Sequence, residues 1–304
     1  MSRYLDPKAD LTFKKVFGEH PDLVTSFLNA MLPFESDEEL IHEVEYLQAE
    51  LVPDNPLRKD SIVDVRCRDK RGRQFIVEMQ MIWSPEFKTR VLFNASKAYV
   101  RQLDRAKKYE LLQPVYSLNI VNDSFETDLP DEFYHYYRMV HTEHTDKVID
   151  GLHLVFVELP KFKARSYNDK RMQVLWLRYL TEIDDNTTSI SEELMNNSEI
   201  RKAVDQLEES AFTDEQLQVY DHFWDMVSVE RILLNNAEKK GLKQGLEKGL
   251  EKGLAEGRER GLAEGREQER LDNIRSMKAM GATDEFISKV MNISIEDVRA
   301  MFNL

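Results

Sequence analysis

Residues 74–82 read QFIVEMQMI, and residues 61–73 just before them read SIVDVRCRDKRGR. Both stretches alternate like strands, and the residues between them fix how they pair. A three-residue loop of Lys70, Arg71 and Gly72, with Gly72 left-handed after a type I turn, is a common hairpin solution. It joins strands at about 61–68 and 74–82 and pairs Asp69 with Arg73. Counting outward, residue 68 opposes 74, 66 opposes 76, and Asp64 opposes Glu78, with Cβ atoms roughly 4.5–5.5 Å apart. Gln80 follows on the same face. The opposite face then carries Val63, Val65, Cys67, Phe75, Val77, Met79 and Met81, an apolar core surface.

The face with Asp64 and Glu78 also holds Ile62, Ile76, Arg66 and Gln80, which is no packing solution by itself. Two facing carboxylates repel, and burial adds to that cost unless a cation compensates. A divalent metal resolves the conflict, since Mg²⁺ takes hard oxygen ligands, typically one or two carboxylates with waters and a substrate phosphate. Pairing of Glu78 with Arg66, or plain solvation of this face, resolves it equally well on pattern alone.

Working outward, residues 10–17 and 22–32 have helical spacing, with Asp10 as the expected N-cap of the first helix. Residues 39–47 alternate as a strand, and Pro53 and Pro56 mark a loop. A helix is expected over 86–109, with Phe87, Val91, Ala95, Ala98 and Leu103 as its buried stripe, before a strand at 114–122. Strands at 133–140 and 152–160 and three helical patterns to about 234 follow. The domain reading is a mixed α/β core over 1–125, a strand and helical extension over 126–235 packed on it, a Gly-repeat helix or linker over 236–270, and a small helical tail over 271–304.

In the repeat, Gly recurs at 241, 245, 249, 253, 257, 261 and 265 between strong helix formers. Each Gly costs roughly 1 kcal/mol against Ala, and a four-residue period winds around a 3.6-residue helix by about 40° per step. The repeat is therefore either a close-packing helix that makes a homo-oligomer or a tolerated semi-flexible spacer. Thr283 and Ser294 are the expected caps of the tail helices. With 4 basic and 5 acidic residues over 271–304, that tail fits a packing or partner-binding bundle better than a DNA reader.

The net charge of −14 hides an asymmetry: residues 1–50 sum to −7, residues 51–120 to +6, and residues 121–304 to −13. The one basic region contains the hairpin. Arg90, Lys97, Arg101 and Arg105 recur along one side of the following helix, a stripe suited to a phosphate backbone. A lone cysteine, Cys67, excludes an internal disulfide and a multi-Cys zinc site. With no apolar run of about 18 residues and no leader pattern, the expectation is a cytoplasmic protein without a membrane partner.

Taken in order, DLTFKKVFG (10–18), SFLNAML (26–32), KDSIVDV (59–65), GRQFIVEMQ (72–80), FKTR (87–90), KKYELLQPVYSLNI (107–120) and VFVELPKF (155–162) resemble the recombination-promoting nucleases, also described as PD-(D/E)XK nuclease family transposases. The resemblance runs to about residue 235, and the glycine repeat and helical tail are typical of such proteins. It implies a restriction-endonuclease-like fold, a mixed central sheet flanked by helices, and metal-dependent DNA cleavage that promotes recombination or mobile-element movement. A catalytically weak DNA- or partner-binding scaffold is the alternative. By position, Asp64 is the central aspartate and Glu78 the acid of the final motif, together binding Mg²⁺, and Asp10 matches the N-terminal acid. Gln80 stands where the usual signature has lysine; it can orient water or hydrogen-bond the phosphate but brings no charge. The family tolerates Gln there, and a second cation, Lys59 or Arg90 is the candidate source of that charge. The candidate DNA contacts are Lys59, Arg66, Lys88, Arg90, Lys97 and Arg101.

Overall fold

The computed structural model describes residues 3–51, 62–103, 108–163 and 171–302. Lys59, Arg105 and the prolines at 53 and 56 lie outside the described residues. Two compact units emerge, Met1–Arg231 and Ile232–Leu304.

The first unit is built on one six-stranded sheet with the order β1-β2-β3-β4-β6-β5. Its strands are β1 (Val44–Tyr46), β2 (Val65–Asp69), β3 (Gln74–Gln80), β4 (Val115–Val121), β5 (Tyr134–His141) and β6 (His144–Glu158). β3, β4 and β6 run parallel, while β1, β2 and β5 pair antiparallel with their neighbours. The strands within residues 126–160 belong to this same sheet.

The hairpin has the expected register: Arg68 pairs with Gln74, Arg66 with Ile76 and Val65 with Val77. Gly72 has φ +86°, and its N–H donates to the Asp69 carbonyl at 3.0 Å. Asp69 Oδ1 accepts the N–H groups of Arg71 and Arg73 at 3.0 and 2.9 Å, which locks the loop. Gly72→Ala puts a Cβ in the left-handed region and 3.2 Å from Cγ of Gln113. We expect it to lower stability by about 1–2 kcal/mol, read as a shifted denaturation midpoint.

One feature of the β2 face departs from strict alternation. Asp64 lies in a bend and regular strand begins at Val65, so Val63 packs with Ile76, Ala95 and Ala98 instead of joining Val65 and Cys67. Phe75 and Val77 enter the main core with Phe17, Phe27 and Trp176, contributed by the helices on that face. Those helices are α1 (Asp10–Phe13), which continues as a π-helical turn over Lys14–Gly18, α2 (Pro21–Met31) and α4 (Arg171–Glu182). Asp10 is not the N-cap: Ala9 holds that extended position, and the Asp10 carboxylate instead takes Lys14 one turn on at 2.7 Å.

The other face is covered by α3 (Glu86–Val100), which crosses between the parallel strands β3 and β4. Its stripe of Phe87, Val91, Ala95 and Ala98 is buried as expected, and the two alanines let the helix sit close over Ile76. The helix stops at Val100, not near 109, with Arg101 as its C-cap residue. Likewise β1 is shorter than the alternation of 39–47 suggests, covering only Val44–Tyr46 after a 3₁₀ segment at Asp37–Glu39. After α4 come α5 (Glu192–Asn196) and α6 (Ser198–Asp205), separated at Asn197, whose side chain caps α6 through the N–H groups of Glu199 and Ile200.

Helix α7 (Asp214–Ala279) contains the whole glycine repeat, and a Cβ added at any of its seven glycines meets nothing within 4 Å. In the second unit, Ile274 packs with Ile287 of α8 (Asp284–Met291) and Val298 of α9 (Ile295–Ala300). Thr283 and Ser294 cap these helices as the sequence suggests. Among the described residues no helix is long and apolar enough to cross a membrane.

Candidate active site

The C-terminal end of β3, the bend at Asp64 and the cleft-facing side of α3 meet in one open cleft of about 800 Å³, lined by Asp64, Glu78, Gln80, Arg90, Phe93 and Asn94 among others. The cause is local. β3 is buried on both faces through Val77, so Glu78, the next residue on the α3 side, enters a largely dry site. It is 5 % exposed. Asp64 continues the hairpin register opposite it, just beyond the last ladder pair, and its Oδ2 accepts the Met79 N–H at 2.7 Å.

The two carboxyls are poorly compensated. Glu78 is pushed up to about 7, chiefly by burial and in part by the nearby Asp64, against the opposing effects of Asn94 and Arg90. Asp64 is also raised, chiefly by burial; the Met79 N–H, Lys14 and Arg90 lower it and Asp10 raises it. Arg66 does not neutralise the pair, since its guanidinium donates to Gln74 Oε1 at 2.8 Å. The Glu78–Arg66 pairing open to the sequence is therefore not the one adopted.

Asn94 is a site residue that hydrophobic spacing does not reveal. Only 1 % exposed, it donates from Nδ2 to Glu78 Oε1 at 3.1 Å, while its Oδ1 is buried and has no partner. The available signal was its polarity inside an otherwise apolar stripe, four residues after Arg90 on the same side of α3.

Gln80 is engaged at both ends of its amide. Nε2 donates to the Ile82 carbonyl at 2.6 Å, and Oε1 accepts from Arg90 Nη2 at 2.6 Å. The same Nη2 stands 3.8 Å from Glu78 Oε2, and the guanidinium lies over the Phe87 ring at 4.8 Å. The remaining candidates are more dispersed. Asp10 stays outside the cleft lining but close enough to act on Asp64. Lys97 donates to the Leu51 carbonyl at 2.7 Å, Lys88 pairs with Glu126 beside Trp83 and Phe125, and Arg101 is half-buried at the end of α3.

A model of the PD-(D/E)XK nuclease family transposases matches residues 7–229, which includes every strand and the whole cleft. The chain belongs to this family. No curated protein and no solved structure matched it. The six-stranded mixed sheet with helices on both faces agrees with the restriction-endonuclease-like fold of PD-(D/E)XK proteins.

PD-(D/E)XK nucleases typically use divalent metal ions, and the residues here fit one. Among the described residues no cluster of three or more His, Cys, Asp or Glu side chains forms, but the carboxylates of Asp64 and Glu78 line one cleft with Asn94, whose Oδ1 is buried without a partner. That all-oxygen set, with room for water, suits a hard cation better than a thiol- or imidazole-seeking one. Asp64 and Glu78 are the residues that would hold it. Bound there, a divalent ion would supply positive charge to a phosphoryl oxygen and acidify water.

Proposed function

We propose that this PD-(D/E)XK protein is a Mg²⁺-dependent DNA endonuclease that nicks or cuts duplex DNA and so promotes recombination or element movement. The observation that carries the reading is the half-buried Asp64 beside the buried Glu78, whose carboxyl it raises, at the floor of an open cleft in a nuclease-family chain. Hydrolysis adds a water oxygen to phosphorus and breaks the P–O3′ bond, leaving 5′-phosphate and 3′-hydroxyl ends. Asp64 and Glu78 orient the reacting groups at the floor, and Asn94 holds the Glu78 carboxylate at its Oε1. Arg101 and Lys97, on the same side of α3 as Arg90, give the flank a positive field for the phosphate backbone.

The test is conversion of supercoiled plasmid to open circles by the purified protein in Mg²⁺ or Mn²⁺, against EDTA, with Asp64→Ala and Glu78→Ala beside it. Nicking that survives in both variants overturns the site. A native protein without nicking in either metal overturns the enzymatic reading in favour of a binding scaffold.

The α7 repeat supports self-association. Leu242, Leu246, Leu250 and Leu254 are exposed beside glycines whose surroundings are open. We expect a chain ended at residue 231 to lose the oligomeric state of the full chain in light scattering; the same number of protomers in both would assign the repeat to spacing alone.

A further inference from the structure

We infer that Arg90 supplies, from helix α3, the positive charge that position 80 lacks, and that Gln80 serves to hold Arg90 against the reacting phosphate. The inference rests on the endonuclease reading and names which side chains carry its charge chemistry.

The amide orientation of Gln80 is fixed by its partners. Arg90 can only donate and the Ile82 carbonyl can only accept, so Oε1 must face the guanidinium and Nε2 the backbone. The bond that Gln80 Oε1 makes is to Arg90, so the amide orients the guanidinium. What it presents toward the cleft is the guanidinium it holds.

Arg90 is positioned like a functional group and not like a tracking surface charge. Three contacts define it: 2.6 Å to Gln80 Oε1, 3.8 Å to Glu78 Oε2 and 4.8 Å to the centre of the buried Phe87 ring. A cation stacked on an aromatic face and held by a neutral oxygen keeps its full charge, and its side chain loses little further freedom on meeting substrate. The other candidate cations on α3 differ. Lys97 is turned to the Leu51 carbonyl and Lys88 to Glu126. Neither lines the cleft, whereas Arg90 does.

The chemistry suits the assignment. As water adds to phosphorus, charge builds on the non-bridging oxygens, and a planar guanidinium with five N–H donors keeps donor capacity after one bond to Gln80. Arginine does not lose its proton, so its part is charge stabilisation only. A lysine at position 80 would deliver an ammonium from the strand; Gln80 with Arg90 delivers a guanidinium from the helix to the same place.

The experiment uses full-length protein, single-turnover nicking of supercoiled plasmid in Mg²⁺, and binding of a fluorescent duplex without divalent metal. Arg90→Ala should slow nicking by about 10²-fold or more while metal-free affinity changes less than about threefold. Arg101→Ala, the comparison for a backbone contact, should lower affinity and rate together. The double variant Gln80→Lys/Arg90→Ala should recover at least about tenfold of the loss, because the charge returns from the strand. Arg90→Ala at near-native rate, equal losses of rate and affinity, or a double variant no faster than Arg90→Ala each overturns the inference while leaving the endonuclease intact. A native protein that does not nick in Mg²⁺ or Mn²⁺ overturns both.

Discussion

Asp64→Asn should reduce plasmid nicking by roughly 10³-fold or more while leaving the fold in place. The substitution keeps the side-chain shape, and an amide oxygen still accepts the Met79 N–H that Asp64 Oδ2 accepts at 2.7 Å. What disappears is one of the two negative charges that a divalent ion needs at the cleft floor. The variant therefore separates charge from structure more cleanly than alanine does. Its thermal midpoint without metal should equal or exceed the native value, because Asp64 is one cause of the raised Glu78 carboxyl. Its metal-free affinity for duplex DNA should rise, since a negative charge has left the surface proposed to meet phosphates. Loss of rate with gain of affinity marks a catalytic carboxylate. A variant retaining more than about a tenth of the native rate would remove Asp64 from the chemistry.

The hairpin was legible because its turn and its strands say the same thing. Gly72 is the residue that tolerates the left-handed conformation, Asp69 satisfies the loop amides, and period-two spacing then sends Asp64 and Glu78 to one side. The family motifs added roles to those positions, not geometry. What was hidden depends on contacts between elements distant in sequence or on local breaks in regularity. Val63 changes partners because the chain bends at Asp64, and no periodicity announces a bend. Arg90 and Asn94 share a helix side that sequence can identify, but which side meets β3 is set by the crossover to β4 and by the small Ala95 and Ala98. The Gln80–Arg90 bond is accordingly invisible until α3 is laid over the sheet. β6 begins at His144, well before its apolar half, because β5 and its first half form an exposed antiparallel arm with no core to encode.

Glu78→Gln should stabilise the metal-free protein, and by an amount that grows with pH. The Glu78 carboxyl moves from its ordinary 4.5 to about 7 in the folded chain, with burial as the main cause and Asp64 as a contributor. Below pH 4.5 it is protonated in folded and unfolded chains alike, and its full contribution to stability is present. Between 4.5 and about 7 the folded chain keeps a proton that the unfolded chain has released, so stability falls as pH rises through that window. Above it the loss is complete, on the order of 3 kcal/mol from a shift of that size. Glutamine cannot ionise, keeps an oxygen for the Asn94 N–H that now reaches Glu78 Oε1 at 3.1 Å, and avoids the loss. Urea denaturation of both proteins at pH 4.5 and pH 8 in EDTA reads the difference directly, and other titrating groups cancel in the comparison. The gap should widen toward pH 8 and shrink when Mg²⁺ is added, since the ion offsets repulsion for glutamate but gains little from glutamine. A gap independent of pH would mean that Glu78 is ionised at no cost, and the strain that argues for a cation in this cleft would be absent.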